Sequence, residues 1–258
     1  MDELRVDKRD RVATLTIDRP QRRNALSRAV VVGLTRQIQA LGEDPDVGVI
    51  VITGAGEKTF CAGGDLGDQV GDAGPLGMHH DRGAFVDLLR AQRSSTRPLI
   101  ARVNGHALGG GFGLALGCDL VVAAEHATFG MPEIKVGLFP MMIMAVVSRN
   151  IGRKAATELM LTGERISAAK ALEYGVANRA VPADELDATV DALADRIAGF
   201  SPAILRLGRE AFYRTQDMGF DEALYSLHAM LTVNALSEDT AEGVTAFFSG
   251  RAPEWKGR

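Results

Sequence analysis

Cysteine is nearly absent from this chain: Cys61 and Cys118 are the only two in 258 residues. Both lie in apolar stretches and read as small buried hydrophobes, not as a disulfide or a metal pair. The five histidines fall into no metal-ligand spacing. The adjacent pair His79-His80 points in different directions on a helix or a strand alike. No metal is expected. Long hydrophobic runs are missing as well, and Met1-Asp2-Glu3-Leu4 lacks the character of a secretory signal. A cytoplasmic protein with no membrane partner is expected. There is no excess of positive charge. The formal net charge is -4 and the pI is near 5.8, so nothing draws nucleic acid or an anionic surface. The cluster Arg19, Arg22 and Arg23 is a local exception.

The remaining composition is that of a globular protein, 46% hydrophobic and 24% charged. The length allows a large core in one domain, or one domain with an appendage. Leu4 to Val6 and Val12 to Ile17 read as a hairpin around Lys8-Arg9-Asp10. Ser27 is a plausible N-cap for a helix with Val30, Val31, Leu34, Ile38 and Leu41 on one face. Val47 to Thr53 reads as a buried strand, closed by Gly54-Ala55-Gly56, and Phe60-Cys61-Ala62 as a short one. Gly67 to Gly83, with five glycines and one proline, has the composition of a mobile loop. A helix to about Ser94 and strands at Pro98 to Val103 and Asp119 to Ala123 continue an alternation that predicts α/β layering. Helices are expected over Pro140 to Thr162, Ser167 to Tyr174 and Asp184 to Phe200, with Gly175 as a C-cap. Three amphipathic helices follow: Ala203 to Arg214, Asp221 to Leu236 and Glu238 to Ser249. Their apolar faces need a partner, either the body or another subunit.

The most informative stretch is Val103 to Gly113, with Gly109-Gly110-Gly111 between a strand and a helix. Bare backbone N–H groups at a helix N-terminus suit negative charge. A P-loop would need lysine and a hydroxyl where Gly111 and Phe112 stand. A dinucleotide fingerprint would need glycine at Leu114 or Leu116. Both fail, which leaves a tight strand–helix junction or a site for an oxyanion. A second glycine pair, Gly63-Gly64, ends the short strand at Phe60. N–H groups near Gly64 and Gly110 could converge on one oxygen, at the roughly 2.7–3.1 Å an oxyanion hole needs. Phe129-Gly130-Met131-Pro132-Glu133 then places a carboxylate among apolar residues. Burial there would raise its pKa and suit it to proton transfer.

These motifs, in this order, resemble the crotonase superfamily of enoyl-CoA hydratases and isomerases. The resemblance begins at Ile17-Asp18-Arg19-Pro20 and Asn24-Ala25-Leu26. It runs through Phe60 to Leu66, the glycine triplet, Cys118-Asp119 and Glu133, and reaches Leu161-Thr162-Gly163-Glu164 and Pro253 to Arg258. It implies an α/β fold built as a spiral of ββα units, with a C-terminal helical region that forms trimers, often paired into hexamers. Residues 1–200 would then be the core and 201–258 the helical region. It implies an acyl-coenzyme A thioester as substrate and no separate cofactor. The N–H groups of Gly64 and Gly110 would hold the thioester oxygen. Arg22, Ala25, Ala62, Asp65 and Leu66 would line the CoA path, with Arg22 or Arg23 meeting phosphates or standing as a solvated turn. Trp255 and Lys256 match a tail that can approach CoA.

The chain departs from the hydratase pattern at one position. Hydratases of this superfamily carry two glutamates, one on the helix after the glycine triplet and one at the place of Glu133. The first position here is Gly113. Adding water is easiest with two carboxylates, whereas moving a double bond needs one base that takes a proton and returns it. Glu133 alone therefore favours isomerisation, with Glu133, Gly64 and Gly110 as the catalytic set. A hydratase with a substitute group, such as His79 or His80, is the alternative, and a non-catalytic CoA-binding protein is another. Gly113 could instead enlarge the acyl pocket, and Leu138 to Met144 could line an acyl tunnel or fill a helix core.

Overall fold

The structure, a computed structural model, describes residues 3–65 and 74–258. β1 (Leu4–Arg9) and β2 (Val12–Ile17) form the expected antiparallel hairpin, turning at Asp10 with φ 51°. α1 (Arg28–Glu43) starts where Ser27 Oγ accepts the Val30 N–H at 3.2 Å, and it buries all five expected apolar residues. A strand–strand–helix unit then repeats. β3 (Val49–Gly54), β4 (Thr59–Cys61) and α2 (Gly74–Ser94) make the first unit. β5 (Leu99–Val103), β6 (His106–Leu108) and α3 (Gly110–Leu116) make the second, and β7 (Leu120–Ala124), β8 (Thr128–Gly130) and α4 (Met141–Asn150) the third. α5 (Arg153–Thr162), β9 (Arg165–Ser167), α6 (Ala168–Glu173), β10 (Arg179–Val181) and α7 (Leu186–Ala198) follow. α8 (Pro202–Thr215), α9 (Phe220–Ala235) and α10 (Glu238–Ser249) complete the chain.

The first strand of each unit joins a six-stranded sheet, β1-β2-β3-β5-β7-β10, and the second joins a four-stranded sheet, β4-β6-β8-β9. Corresponding strands of successive units run parallel. This is the spiral of ββα units. Period-two alternation separates two cores. Ile50, Ile52, Leu99, Ala101, Val121 and Ala123 face the main core with α1 and α3. Val49, Val51, Ile100 and Val122 pack against Leu186, Val190 and Ala194 of α7.

The structure corrects several expectations. Residues 74–83 of the expected loop are the first turns of α2, while 66–73 lie outside the described residues. The helix expected over Pro140 to Thr162 is two helices, because Ile151 is extended and Gly152 caps a new start. Four short strands were not anticipated: β6, β8, β9 and β10 span three residues each, too few for periodicity to register.

Asp119 fixes α8 to the body. Its carboxylate accepts Arg209 Nε at 3.0 and 2.9 Å and Tyr213 OH at 2.7 Å, while the Leu99 N–H donates at 2.7 Å. α9 and α10 leave Phe220, Tyr225, Leu231, Phe247 and Phe248 exposed, so this apolar face is not covered by the chain's own body. No helix among the described residues is long and apolar enough to cross a membrane. Both thiols are fully buried, and burial pushes Cys61 up to about 12, so neither ionises near neutrality.

Candidate active site

Two glycine turns meet because neither carries a side chain. Gly63 sits at φ +98°, the left-handed region, and a Cβ there would lie 3.0 Å from Leu108 O and 3.2 Å from Gly110 N. A Cβ on Gly111 would collide with the Cys61 carbonyl. The Gly63-Gly64-Asp65 turn is further tied to Leu26. Leu26 N donates to Gly63 O at 2.8 Å and Asp65 N donates to Leu26 O at 3.0 Å. This pattern uses the Gly63 carbonyl and the Asp65 N–H and passes over the N–H of Gly64 itself. Gly110 is the first residue of α3, where amides have no intrahelical acceptor. Among the described residues no loop or cap backbone bond takes the N–H of Gly64 or Gly110. A Cβ on Gly110 would lie 3.5 Å from Gly64 N, 3.5 Å from Leu26 Cδ1 and 3.6 Å from Phe85 Cζ. The two donors are therefore neighbours under an apolar roof. Leu26 entered the sequence reading only within the Asn24-Ala25-Leu26 motif, with no role at the site, and Phe85 was not singled out. Phe85 falls on the helical pattern that ends near Ser94, and only the fold brings it to the glycines.

Glu133 lies on a short 3-10 turn, Pro132–Val136, behind the fully buried Met131. Its carboxylate lies beside the first glycine of the triplet: a Cβ on Gly109 would be 2.9 Å from Glu133 Oε1. Glu133 Oε2 is buried and accepts no hydrogen bond among the described residues. Burial pushes the carboxyl above its ordinary value, offset in part by its own backbone N–H. No lysine or arginine among the described residues pairs with it, so a structural ion pair is not its role. An unpartnered buried carboxylate oxygen is costly for the fold alone.

The residues expected to line a CoA path also come together. Ala62 N donates to Arg23 O at 3.1 Å, and Ala25 N to Arg22 O at 3.1 Å, so the segments around Arg22 and Gly64 run side by side. Asn24 staples them, donating from Nδ2 to Ala55 O at 2.9 Å and Thr59 O at 2.7 Å. Arg22 and Arg23 are exposed at the rim, whereas Arg19 is buried. Arg19 Nη2 lies 3.0 Å from Asp65 Oδ2, and Nη1 donates to Ala25 O at 2.8 Å. Its Nε is 2.8 Å from Glu3 Oε1, but the N–H is not aimed at that oxygen, which makes this an ion pair without a hydrogen bond. The Asp65 carboxylate is thus held by Arg19. Leu66 lies outside the described residues.

Gly113 does not enlarge the pocket. A Cβ on it would collide with Ile143 Cγ2 and lie 2.8 Å from Ile143 Cβ. The Leu138 to Met144 run divides: Ile143 is core, while Leu138 and Met141 are exposed. His79 and His80 belong to α2 instead of a loop, and the His79 side chain is exposed. The tail is held by its own chain. Trp255 Nε1 donates to Gly199 O at 2.8 Å, and the buried Asp239 carboxylate accepts the Lys256 and Gly257 amides at 2.7 and 3.0 Å.

Two neighbouring glycine amides, with no loop or cap backbone acceptor among the described residues, stand near a half-buried carboxylate, an arrangement that could hold an oxyanion beside a proton carrier. The sequence pattern described as Enoyl-CoA hydratase/isomerase matches residues 7–258. A 2,3-dehydroadipyl-CoA hydratase of Escherichia coli is 36% identical over 264 residues, covering 100% of each chain. A crystal structure of an enoyl-CoA hydratase from Mycobacterium smegmatis superposes with TM-score 0.94 at 36% identity, covering 98% of each chain. One from Bacillus anthracis superposes with TM-score 0.94 at 32% identity, covering 99% of this chain and 100% of the other. The chain belongs to the enoyl-CoA hydratase/isomerase family of the crotonase superfamily.

Proposed function

We propose that the protein isomerises enoyl-CoA thioesters, shifting a double bond between the 3- and 2-positions of the acyl chain. The observation that carries this is Glu133: a half-buried carboxylate beside Gly109, whose Oε2 is buried with no hydrogen-bond partner among the described residues, and no second carboxylate stands at Gly113. The thioester oxygen accepts the N–H groups of Gly64 and Gly110. That polarises the carbonyl and makes the α-carbon acidic. Glu133 removes the α-proton, and the electron pair delocalises through the oxygen and the adjacent double bond. The same carboxyl then returns the proton at the γ-carbon, which regenerates the carbonyl and leaves the conjugated isomer. Atoms and charge balance without a cofactor. CoA follows Ala25, Ala62, Asp65 and Leu66, with the exposed Arg22 guanidinium toward its phosphates.

Hydration is the second reading, favoured by the name of the Escherichia coli relative, a hydratase. It requires another group to orient water. Product masses separate the two. A 3-enoyl-CoA should give a 2-enoyl-CoA of unchanged mass, and 2-enoyl-CoA should gain water slowly or not at all. Rapid water addition to 2-enoyl-CoA would overturn the isomerase reading, and CoA binding with no turnover would overturn catalysis altogether.

The oxyanion assignment has its own test in Gly110→Pro. Proline is tolerated at the first position of a helix, where the amide has no intrahelical acceptor. The variant should keep its fold and lose activity by about 10²–10³, the usual effect of removing one such donor. Unchanged activity would remove Gly110 from the mechanism. The exposed apolar face of α9 and α10 is proposed to be covered by copies of this chain, in a trimer or a dimer of trimers. A monomer in sedimentation velocity at micromolar concentration would contradict this.

A further inference from the structure

We infer that Ile143 sets the choice of reaction, by filling the place from which a second carboxylate would act. The inference rests on the isomerase reading above and gives it a structural cause. Gly113 follows Gly109 by one turn of α3, and its N–H donates to the Gly109 carbonyl at 3.1 Å. A Cβ on Gly109 would meet Glu133, and position 113 lies one helical turn further along α3. The start of a side chain at 113 is occupied. A Cβ there would overlap Ile143 Cγ2 and lie 2.8 Å from Ile143 Cβ. Turning the isoleucine about χ1 moves Cγ2 but leaves Cβ where it is, and a β-branched residue in a helix has one strongly preferred rotamer.

Ile143 cannot simply yield. It is 3% exposed and packs in the main core with Phe112, Phe129 and Val147. Such interiors are close-packed, and added atoms displace helices. Gly113 is therefore not a vacancy in which water could take over the role of a lost glutamate. An ordered water needs two to four polar partners, and the nearest atoms here are the methyl and Cβ of Ile143. The contact joins α3 to α4 across thirty positions of sequence, and substituting Gly113 alone cannot restore a hydratase wall.

A cycle of variants tests this. Gly113→Ala should lower Tm by about 3–10 °C in the unmodified background, from overpacking. In an Ile143→Gly background the same substitution should cost less than half as much. Ile143→Ala, which keeps the obstructing Cβ, should relieve it less than Ile143→Gly. Gly113→Glu combined with Ile143→Gly should hydrate 2-enoyl-CoA at least about tenfold faster than Ile143→Gly alone, within the range a placed acid–base group supplies. Equal losses of Tm in both backgrounds, or a folded double variant with no gain in hydration, would overturn the inference. The two levels fail differently. Absent coupling in a protein that isomerises removes the role of Ile143 alone. Efficient hydration by the unmodified protein removes the isomerase reading, and the role of Ile143 in it, even if the coupling is present.

Discussion

Replacing Glu133 by glutamine is expected to lower kcat by about 10²–10⁴ while CoA binding persists, the range for losing a positioned general acid–base group. Glutamine keeps the shape and removes only the proton exchange. The pH dependence has a defined sign. Burial raises the Glu133 carboxyl above its ordinary value, and the base must be ionised to act. kcat/KM should therefore fall with decreasing pH along an acid limb that lies above the usual carboxylate range. Stability moves the other way. A raised carboxyl favours the fold below its unfolded value, and that contribution is lost as pH rises through the folded value. Glu133→Gln carries no such loss. The variant should be at least as stable as the parent at neutral pH, and this advantage should fade near pH ~4, where carboxyls protonate in both states. Thermal midpoints at both pH values check it, and full activity in the variant would remove Glu133 from the chemistry.

Arg19→Met is expected to cost about 3–5 kcal/mol of stability, the usual penalty for breaking a buried ion pair from one side. At this chain length that lowers Tm by about 6–20 °C. The guanidinium holds the Asp65 carboxylate at 3.0 Å and the Ala25 carbonyl at 2.8 Å, both with little access to water. Its loss takes the guanidinium charge away from Asp65, next to Gly64. The turn presenting the Gly64 amide should loosen, so kcat should fall more than KM rises. Adding Asp65→Leu should recover part of the stability, because a buried pair removed whole costs less than one broken. It should not recover kcat, since the turn still lacks its tie to Arg19. A double variant no more stable than Arg19→Met would show that the pair is not coupled. Unchanged kcat in Arg19→Met would show that it does not position the turn.

Local signals in the sequence located much of the fold. Ser27 and the apolar positions from Val30 to Leu41 predicted the start and the buried face of α1, and α10 falls on its expected span. Both rely on capping and periodicity, which act over a few residues. The three-residue strands β6 and β8 did not register, although they aim Gly110 and Glu133, because pairing partners and not propensity define them. The start of α2 was hidden by glycine and proline, which argued for a loop. At the site, Gly64, Gly110 and Glu133 carried motifs that could be seen in the chain. Ile143 carried none. Its importance lies in a contact with Gly113 that exists only once α3 and α4 are packed, and that fills the space Gly113 could otherwise have added to an acyl pocket.

The central claim is that one carboxyl both removes and returns the proton. It is tested most directly with a 3-enoyl-CoA carrying deuterium at the α-carbon, incubated in ordinary water, with the product analysed by mass and position of label. The account predicts a 2-enoyl-CoA of unchanged carbon and oxygen content with a measurable fraction of the deuterium at the γ-carbon. A product that has gained water, or one with no deuterium at the γ-carbon, would contradict it.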